Sequence, residues 1–154
     1  MGRRARCRRN ESGFTLIELL TIIAILGVLA YMGSTAFQMY KSTAAYGVIA
    51  QTLADARRAV EAGISNFDLP PGAVNVSQSA RGEMQDAGAR ALMPGFRLPR
   101  GVKIDVSYNP ECLDLGCEQA YIELRHCQAK EHLRWVRYGD GLDMLLEHLA
   151  GGGC

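Results

Sequence analysis

Glu18 is the residue near the N-terminus that is best placed for chemistry, because it is a carboxylate inside an apolar run. It is the only acidic or basic residue among the 24 from Phe14 to Phe37. Membrane-insertion scales assign a free-energy cost of about 2.5–3.5 kcal/mol to an acidic residue at the centre of a membrane helix, and somewhat less near the interface. The run offers no residue of opposite charge. We therefore expect Glu18 to lack a partner on its own chain and to pair with another molecule.

A basic leader precedes this run and ends at Gly13. Residues 1–13 contain one acid, Glu11, and five arginines, which are Arg3, Arg4, Arg6, Arg8 and Arg9. Basic clusters beside an apolar span normally remain in the cytoplasm, so the N-terminus should lie inside. Without the leader the chain has 12 basic and 15 acidic side chains, a net charge of −3. This mildly acidic balance disfavours a general nucleic-acid surface.

The apolar run, residues 14–37, has the length of a transmembrane helix. As a helix it would extend about 36 Å, enough for a hydrocarbon core of about 30 Å. It exceeds the apolar core of a cleaved secretory signal, roughly 7–15 residues. A plain single-pass anchor is the other simple interpretation, but it leaves Glu18 unexplained.

Helical periodicity continues beyond the apolar run, through residues 38–66. An apolar stripe at helical spacing predicts an amphipathic half of the same helix. Pro70 and Pro71 then prevent its continuation, so we place its end near Asn66. The stripe consists of Ile49, Leu53, Val60, Ile64 and Phe67.

Residues 67–154 are predicted to form a small exported globular domain. Alternation with a period of two indicates strands at 102–108, 119–126 and 133–138. These suit an antiparallel sheet of about three strands with the helical stripe on its apolar face, an α+β fold. Trp135, on the third strand, is expected in the core. We also predict a short helix within 79–93, and a final amphipathic helix marked by Leu142, Leu145, Leu146 and Leu149.

Four cysteines lie outside the leader: Cys112, Cys117, Cys127 and Cys154. An even number in an exported domain favours disulfides, and three connectivities are possible. The alternative is a zinc site, for which the four-residue gap between Cys112 and Cys117 is at the upper end of the usual ligand spacing. Its candidate ligands are Cys112, Cys117, His126, Cys127 and His132. Glu111, Asp114 and Glu118 could bind calcium but lack a dense oxygen-ligand pattern. We predict disulfides and a solvated acidic turn, with no metal and no cofactor.

The sequence contains no recognisable catalytic set, and we predict that the protein is not an enzyme. It has no phosphate-binding glycine loop and no nucleophile elbow. A basic patch for DNA uptake is conceivable, but Glu123 and Glu131 dilute it, and a solvated strand face is the simpler interpretation. The arginines concerned are Arg97, Arg100, Arg125, Arg134 and Arg137.

The order of these features resembles the type IV pilin superfamily, which includes major and minor pilins and the pseudopilins of type II secretion. The similarity is specific from Gly13 to about Phe37, where Gly-Phe-Thr-Leu-Ile-Glu opens the apolar run. It implies a filament subunit, cut by a prepilin peptidase between Gly13 and Phe14 and methylated on the new Phe14 amine. It further implies that Glu18 pairs with a Phe14 amine, most simply that of a neighbouring subunit.

The resemblance also implies partners and a location. The partners are the prepilin peptidase, other pilin or pseudopilin subunits, an inner-membrane assembly platform, and lipid before assembly. The chain would cross the bacterial inner membrane once, with its C-terminal domain periplasmic or in an extracellular filament. Pilins often close a C-terminal loop with a disulfide, which here favours Cys127 with Cys154 and Cys112 with Cys117.

Two alternative functions remain open from the sequence. One is a membrane-anchored periplasmic binding domain that never polymerises. The other is a minor pilin that binds DNA during uptake. The N-terminal residue of the mature protein and its methylation would separate the first of these from a filament subunit.

Overall fold

A computed structural model describes residues 14–65 and 69–150, without the side chains of 146–148 and 150. The described elements define an α+β fold, as predicted. In chain order they are α1 (Leu16–Ser65), β1 (Val74–Gln78), β2 (Gly82–Glu83), α2 (Ala87–Leu92), β3 (Arg97–Leu98), β4 (Val102–Tyr108), β5 (Glu118–His126), β6 (Glu131–Tyr138) and β7 (Asp143–Ala150).

The chain divides into two compact units between Gln38 and Met39. In the first unit, α1 exposes its large apolar side chains. Helix α1 is long and apolar enough near the N-terminus to cross a membrane, judged by length and composition alone. Its regularity follows from a sequence rich in Leu, Ile and Ala, with no proline among its 50 residues.

The second unit contains a five-stranded antiparallel sheet in the order β1-β4-β5-β6-β7. The three predicted strands correspond to β4, β5 and β6, which are consecutive neighbours in the sheet. Strands β1 and β7 extend it on either side, and the short β2 and β3 form a separate pair. The predicted sheet of about three strands is therefore too small.

The prediction of a final amphipathic helix is wrong, because residues 143–150 form β7. Its partner is β6, with Leu145 opposite Trp135 and Met144 opposite Val136. The register shifts between His132 and Arg134, so β7 does not keep a period of two. Leu142, Leu145, Leu146 and Leu149 therefore recur at intervals of three and four residues, which are also the intervals of an amphipathic helix. Pairing with the free edge of β6 decides the structure, as tertiary context commonly does for short segments.

The core lies where the second part of α1 packs against the sheet. Ile49, Leu53 and Val60 are buried, as the predicted stripe requires, and Ile64 is partly buried. Phe67 is outside the described residues. The sheet contributes buried side chains from its three central strands, including the predicted core tryptophan. These are Ile104, Val106, Ile122, Leu124, Leu133 and Trp135.

Gly63 marks the closest approach of α1 to α2. A Cβ atom there would lie 2.5 Å from the backbone oxygen of Leu92, so no larger residue fits without moving backbone. Gly47, also within α1, is exposed, and a Cβ atom added there would meet no atom within 4 Å. The two glycines thus share a helical setting and differ in their surroundings.

We predict that Gly63→Ala destabilises the domain, because overpacking costs about 1–3 kcal/mol and outweighs the helix propensity that alanine gains. The matched variant Gly47→Ala should stabilise it by up to about 1 kcal/mol. Thermal unfolding of the full chain in detergent would measure both effects. Equal stabilisation by the two substitutions would contradict the close approach at Gly63.

Candidate functional site at the start of the long helix

Phe14 and Thr15 precede the first helical residue, Leu16, and are not helical themselves. Phe14 is 77% exposed. Gly13, the other residue of the predicted cleavage point, lies outside the described residues. The chain immediately after that point is therefore an exposed, irregular segment of two residues that leads into a helix.

Thr15 and Glu18 form a reciprocal cap at the start of α1. The backbone N–H and the hydroxyl of Thr15 each donate to Glu18 Oε2, both at 2.8 Å. The Glu18 backbone N–H donates in return to Thr15 Oγ1 at 3.3 Å. The first helical bond joins Leu19 N to Thr15 O at 3.2 Å. This is a capping box, which satisfies N–H groups that a helix start otherwise leaves without partners.

The expectation that Glu18 has no partner on its own chain is wrong, because Thr15 supplies two donors. The signal is present in the sequence as Thr-x-x-Glu directly before an apolar run. The first turn also places a carboxylate at the positive end of the helix dipole. Neutral donors do not cancel the charge, however, and an ionised carboxylate has about four acceptor sites, so it can accept further donors.

Cys112 and Cys117 form a disulfide, with Cα atoms 5.7 Å apart, in the loop between β4 and β5. Their sulfur atoms are thus not thiolate ligands, which removes two members of the alternative zinc set. Cys127 is also disulfide-bonded. Cys154 is outside the described residues, so the pairing of Cys127 with Cys154 stays a prediction.

The remaining members of the zinc and calcium hypotheses do not come together. In residues 14–65 and 69–150 there is no group of three or more His, Cys, Asp or Glu side chains arranged to hold a metal. His126 Nδ1 accepts a hydrogen bond from Gln128 N at 3.1 Å. His132 is buried, with Nε2 3.5 Å from Glu123 Oε1. Each histidine therefore has a local contact in the fold.

Three of the five arginines considered for DNA contact an acidic side chain. Arg97 Nη2 lies 2.8 Å from Glu83 Oε1, and this bond lowers the pKa of the Glu83 carboxyl. Arg125 Nε donates to Glu123 Oε1 at 2.7 Å, which raises the pKa of Arg125. These pairs dilute the positive potential that a nucleic-acid surface needs.

Arg134 is the third of these arginines. Its Nη2 lies 2.8 Å from Glu118 Oε2, and its guanidinium stands 4.6 Å from the centre of the Tyr121 ring. Arginine commonly stacks on aromatic faces in this way. Arg134 is therefore engaged in interactions across the sheet.

Asp143 links α1 to the hairpin of β6 and β7, a role that the sequence does not reveal. Its Oδ2 accepts a hydrogen bond from Trp135 Nε1 at 3.2 Å and lies 2.5 Å from Arg57 Nη2. Arg57 also contacts Glu61 at 3.1 Å. Helical periodicity predicts a solvated position for Arg57; the side chain is partly exposed but reaches the sheet.

Comparison with known proteins identifies the N-terminal motif. Residues 8–30 match the family described as "Prokaryotic N-terminal methylation motif". The chain is 43% identical over 52 residues to "Prepilin peptidase-dependent protein D" of Escherichia coli (strain K12), covering 34% of this chain and 36% of that protein. It is 41% identical over 60 residues to "Type IV major alpha-pilin" of Moraxella bovis, covering 39% and 38%.

The matched segments span little more than a third of each curated relative. No solved structure matches the chain significantly. The chain therefore carries a prepilin-type methylation motif and is similar in part to type IV pilins, and the motif range includes Gly13, Phe14, Thr15 and Glu18.

We predict that Asp143→Ala lowers the free energy of unfolding by about 1–3 kcal/mol, because the buried Trp135 N–H loses its acceptor. Asp143→Asn is the matched control, since its amide oxygen can still accept from Trp135. Denaturant unfolding followed by fluorescence measures this directly, because Trp135 is the chain's single tryptophan. Equal stability of the alanine variant and the wild type would rule out a structural role for this hydrogen bond.

Proposed function

We propose that this chain is a non-enzymatic subunit of a type IV filament system, either a minor pilin or a pseudopilin of type II secretion. The observation that carries the proposal is the match of residues 8–30 to the methylation motif, a range that includes Gly13, Phe14 and Glu18. The partial similarity to a type IV pilin and to a prepilin peptidase-dependent protein supports the same class.

In this proposal a prepilin peptidase cuts between Gly13 and Phe14 and then methylates the Phe14 amine. The exposed, non-helical Phe14 and Thr15 support it, because a peptidase binds an extended segment more readily than a helix. A glycine before the cut suits a narrow protease pocket. The arginines of the leader hold this end of the chain in the cytoplasm, and residues 14–37 cross the inner membrane.

Glu18 then pairs with the Phe14 amine of a neighbouring subunit. Each charge alone is costly among apolar helices, whereas a pair at a fixed depth sets the register of the helices. The capping box supports this role, because Thr15 holds the Glu18 carboxylate at the first turn of α1, close in sequence to Phe14. Assembly adds a positively charged donor to a carboxylate that already has neutral ones.

The remaining partners follow from this assembly. An inner-membrane platform would receive the processed subunit, and lipid would surround residues 14–37 until other subunits replace it. A membrane-anchored domain that does not polymerise is the alternative from a different class. A DNA-binding minor pilin is less well supported, because Arg97, Arg125 and Arg134 contact carboxylates.

We predict that Gly13→Leu blocks cleavage, because the larger side chain does not fit a pocket that accepts glycine. Wild-type protein from the native host should begin at Phe14 with a methylated amine, and the variant should retain residues 1–13. Intact-mass measurement and N-terminal sequencing report both properties. Ser12→Ala is the matched control and should be processed normally. A Gly13→Leu protein that begins at Phe14 would refute the assignment of the cut site.

We predict that Glu18→Val inserts in the membrane and is cleaved, yet enters filaments at least about tenfold less than the wild type, because the paired amine loses its counter-charge. Ser34→Ala is the control, since it removes a polar group from the same apolar run without removing a charge. Immunoblots of the membrane and sheared-filament fractions measure the two steps. Normal filament entry by Glu18→Val would exclude charge pairing as the basis of assembly.

A further inference from the structure

The exposed apolar side chains that follow α1 are concentrated at one end of the sheet. Among the described residues 69–150, the large apolar side chains that are exposed lie in the β4–β5 loop, in the β6–β7 turn or at the start of β7. Leu113 is 69% exposed, Leu115 87% and Leu142 66%. Single exposed leucines are ordinary, but a cluster indicates an interaction surface.

Two loops are joined at this end. The Gly139 N–H donates to Cys117 O at 3.0 Å, and a Cβ on Gly139 would lie 2.7 Å from the Leu113 backbone. Leu142 O accepts from Tyr138 N at 2.8 Å, which closes the turn between β6 and β7. The loop of residues 111–117 and the turn of residues 139–142 therefore form one surface, which we call the tip surface.

The tip surface is held in a fixed conformation. The Cys112–Cys117 disulfide closes its first loop, and Cys117 N also donates to Asp114 O at 3.2 Å. Asp140 Oδ1 accepts from Leu142 N at 3.0 Å in the second turn. Ordering a flexible loop opposes binding, so a surface that is already ordered avoids that cost.

The charge of the tip surface specifies its partner. Residues 111–117 and 139–142 contain three acids and no Lys, Arg or His. Glu111, Asp114 and Asp140 are exposed and form no ion pair with a residue in 14–65 or 69–150. These carboxylates repel phosphate backbones and anionic lipid headgroups, and they attract basic side chains.

We propose that the tip surface binds a protein partner that presents apolar side chains flanked by Lys or Arg. The three leucines supply the apolar contact, and the three unpaired carboxylates supply orientation and selectivity.

Two short probes test the chemistry, namely hexapeptides that alternate Leu with Lys or Leu with Glu. The oxidised full chain is placed in nanodiscs of phosphatidylcholine, and the anisotropy of labelled peptide is measured against empty nanodiscs. The Leu/Lys peptide should bind at least about tenfold more tightly than the Leu/Glu peptide, and this preference should decrease with added salt. Equal binding of the two peptides would overturn the proposal.

Substitutions locate the site. The double variant Leu113→Ser with Leu115→Ser, and the variant Asp114→Asn, should each weaken binding of the Leu/Lys peptide by at least about fivefold. Val48→Ser is the matched control, because it removes an exposed apolar side chain on α1, and it should leave binding unchanged. Trp135 fluorescence and intact mass verify the fold and the disulfide. Unchanged binding by the double variant would disprove the assignment.

A photo-crosslinking side chain in place of Leu115, in cells, identifies the kind of partner. The proposal is supported by adducts whose contact peptides come from another protein and contain apolar residues beside Lys or Arg. Adducts with a second copy of this chain, adducts with acidic peptides, or the absence of adducts would each overturn it.

Discussion

Burial of one face of α1 against the inner face of the sheet is the interaction on which the second unit depends. Fully burying an aliphatic side chain stabilises a fold by about 1.5–3 kcal/mol, and Ile49, Leu53 and Val60 are all buried there. A solvent-exposed ion pair contributes about 0–1 kcal/mol. The contact of Arg57 with Asp143 thus orients elements that apolar packing already holds together.

Strand β6 shows how this packing depends on β7. Leu133 and Trp135 are buried on one face of β6, and His132 and Val136 are buried on the other. A strand buried on both faces cannot leave its backbone edge unpaired at low cost, because each buried polar group requires a partner. β7 supplies the partners along that edge, and Asp143, its first residue, accepts from the Trp135 ring nitrogen.

The sequence predicts those elements whose pattern is strong and local. The alternation of Val102, Ile104 and Val106 and the stripe from Ile49 to Val60 each define one buried face, so the three central strands and the packing of α1 can be found. β1 is missed because Val74 and Val76 are too few to signal a strand. They become part of the sheet through antiparallel pairing with β4, in which Val76 lies opposite Val106.

For a related reason, the sequence reveals some of the residues described in the candidate functional site and not others. Charge and hydropathy indicate Glu18, because a single acid in an apolar run is conspicuous. Thr15 is easily overlooked because a threonine beside a membrane span carries no charge, although its spacing from Glu18 is that of a capping box. Asp143 cannot be found in this way, because Arg57 is distant in sequence and Trp135 meets Asp143 only once β6 and β7 pair.

In the proposed assembly, the cap explains how Glu18 can be stable in a single subunit and still pair with a neighbouring one. Thr15 provides hydrogen bonds, which lower the cost of removing the carboxylate from water, but it provides no positive charge. In the unprocessed chain the Phe14 nitrogen is a neutral amide, and the proposed cleavage would convert it into an amine that can carry a charge. In the proposed assembly an unprocessed subunit therefore offers no counter-charge to a neighbour's Glu18. In that proposal the order of events, with cleavage first and pairing second, follows from the chemistry of this one nitrogen atom.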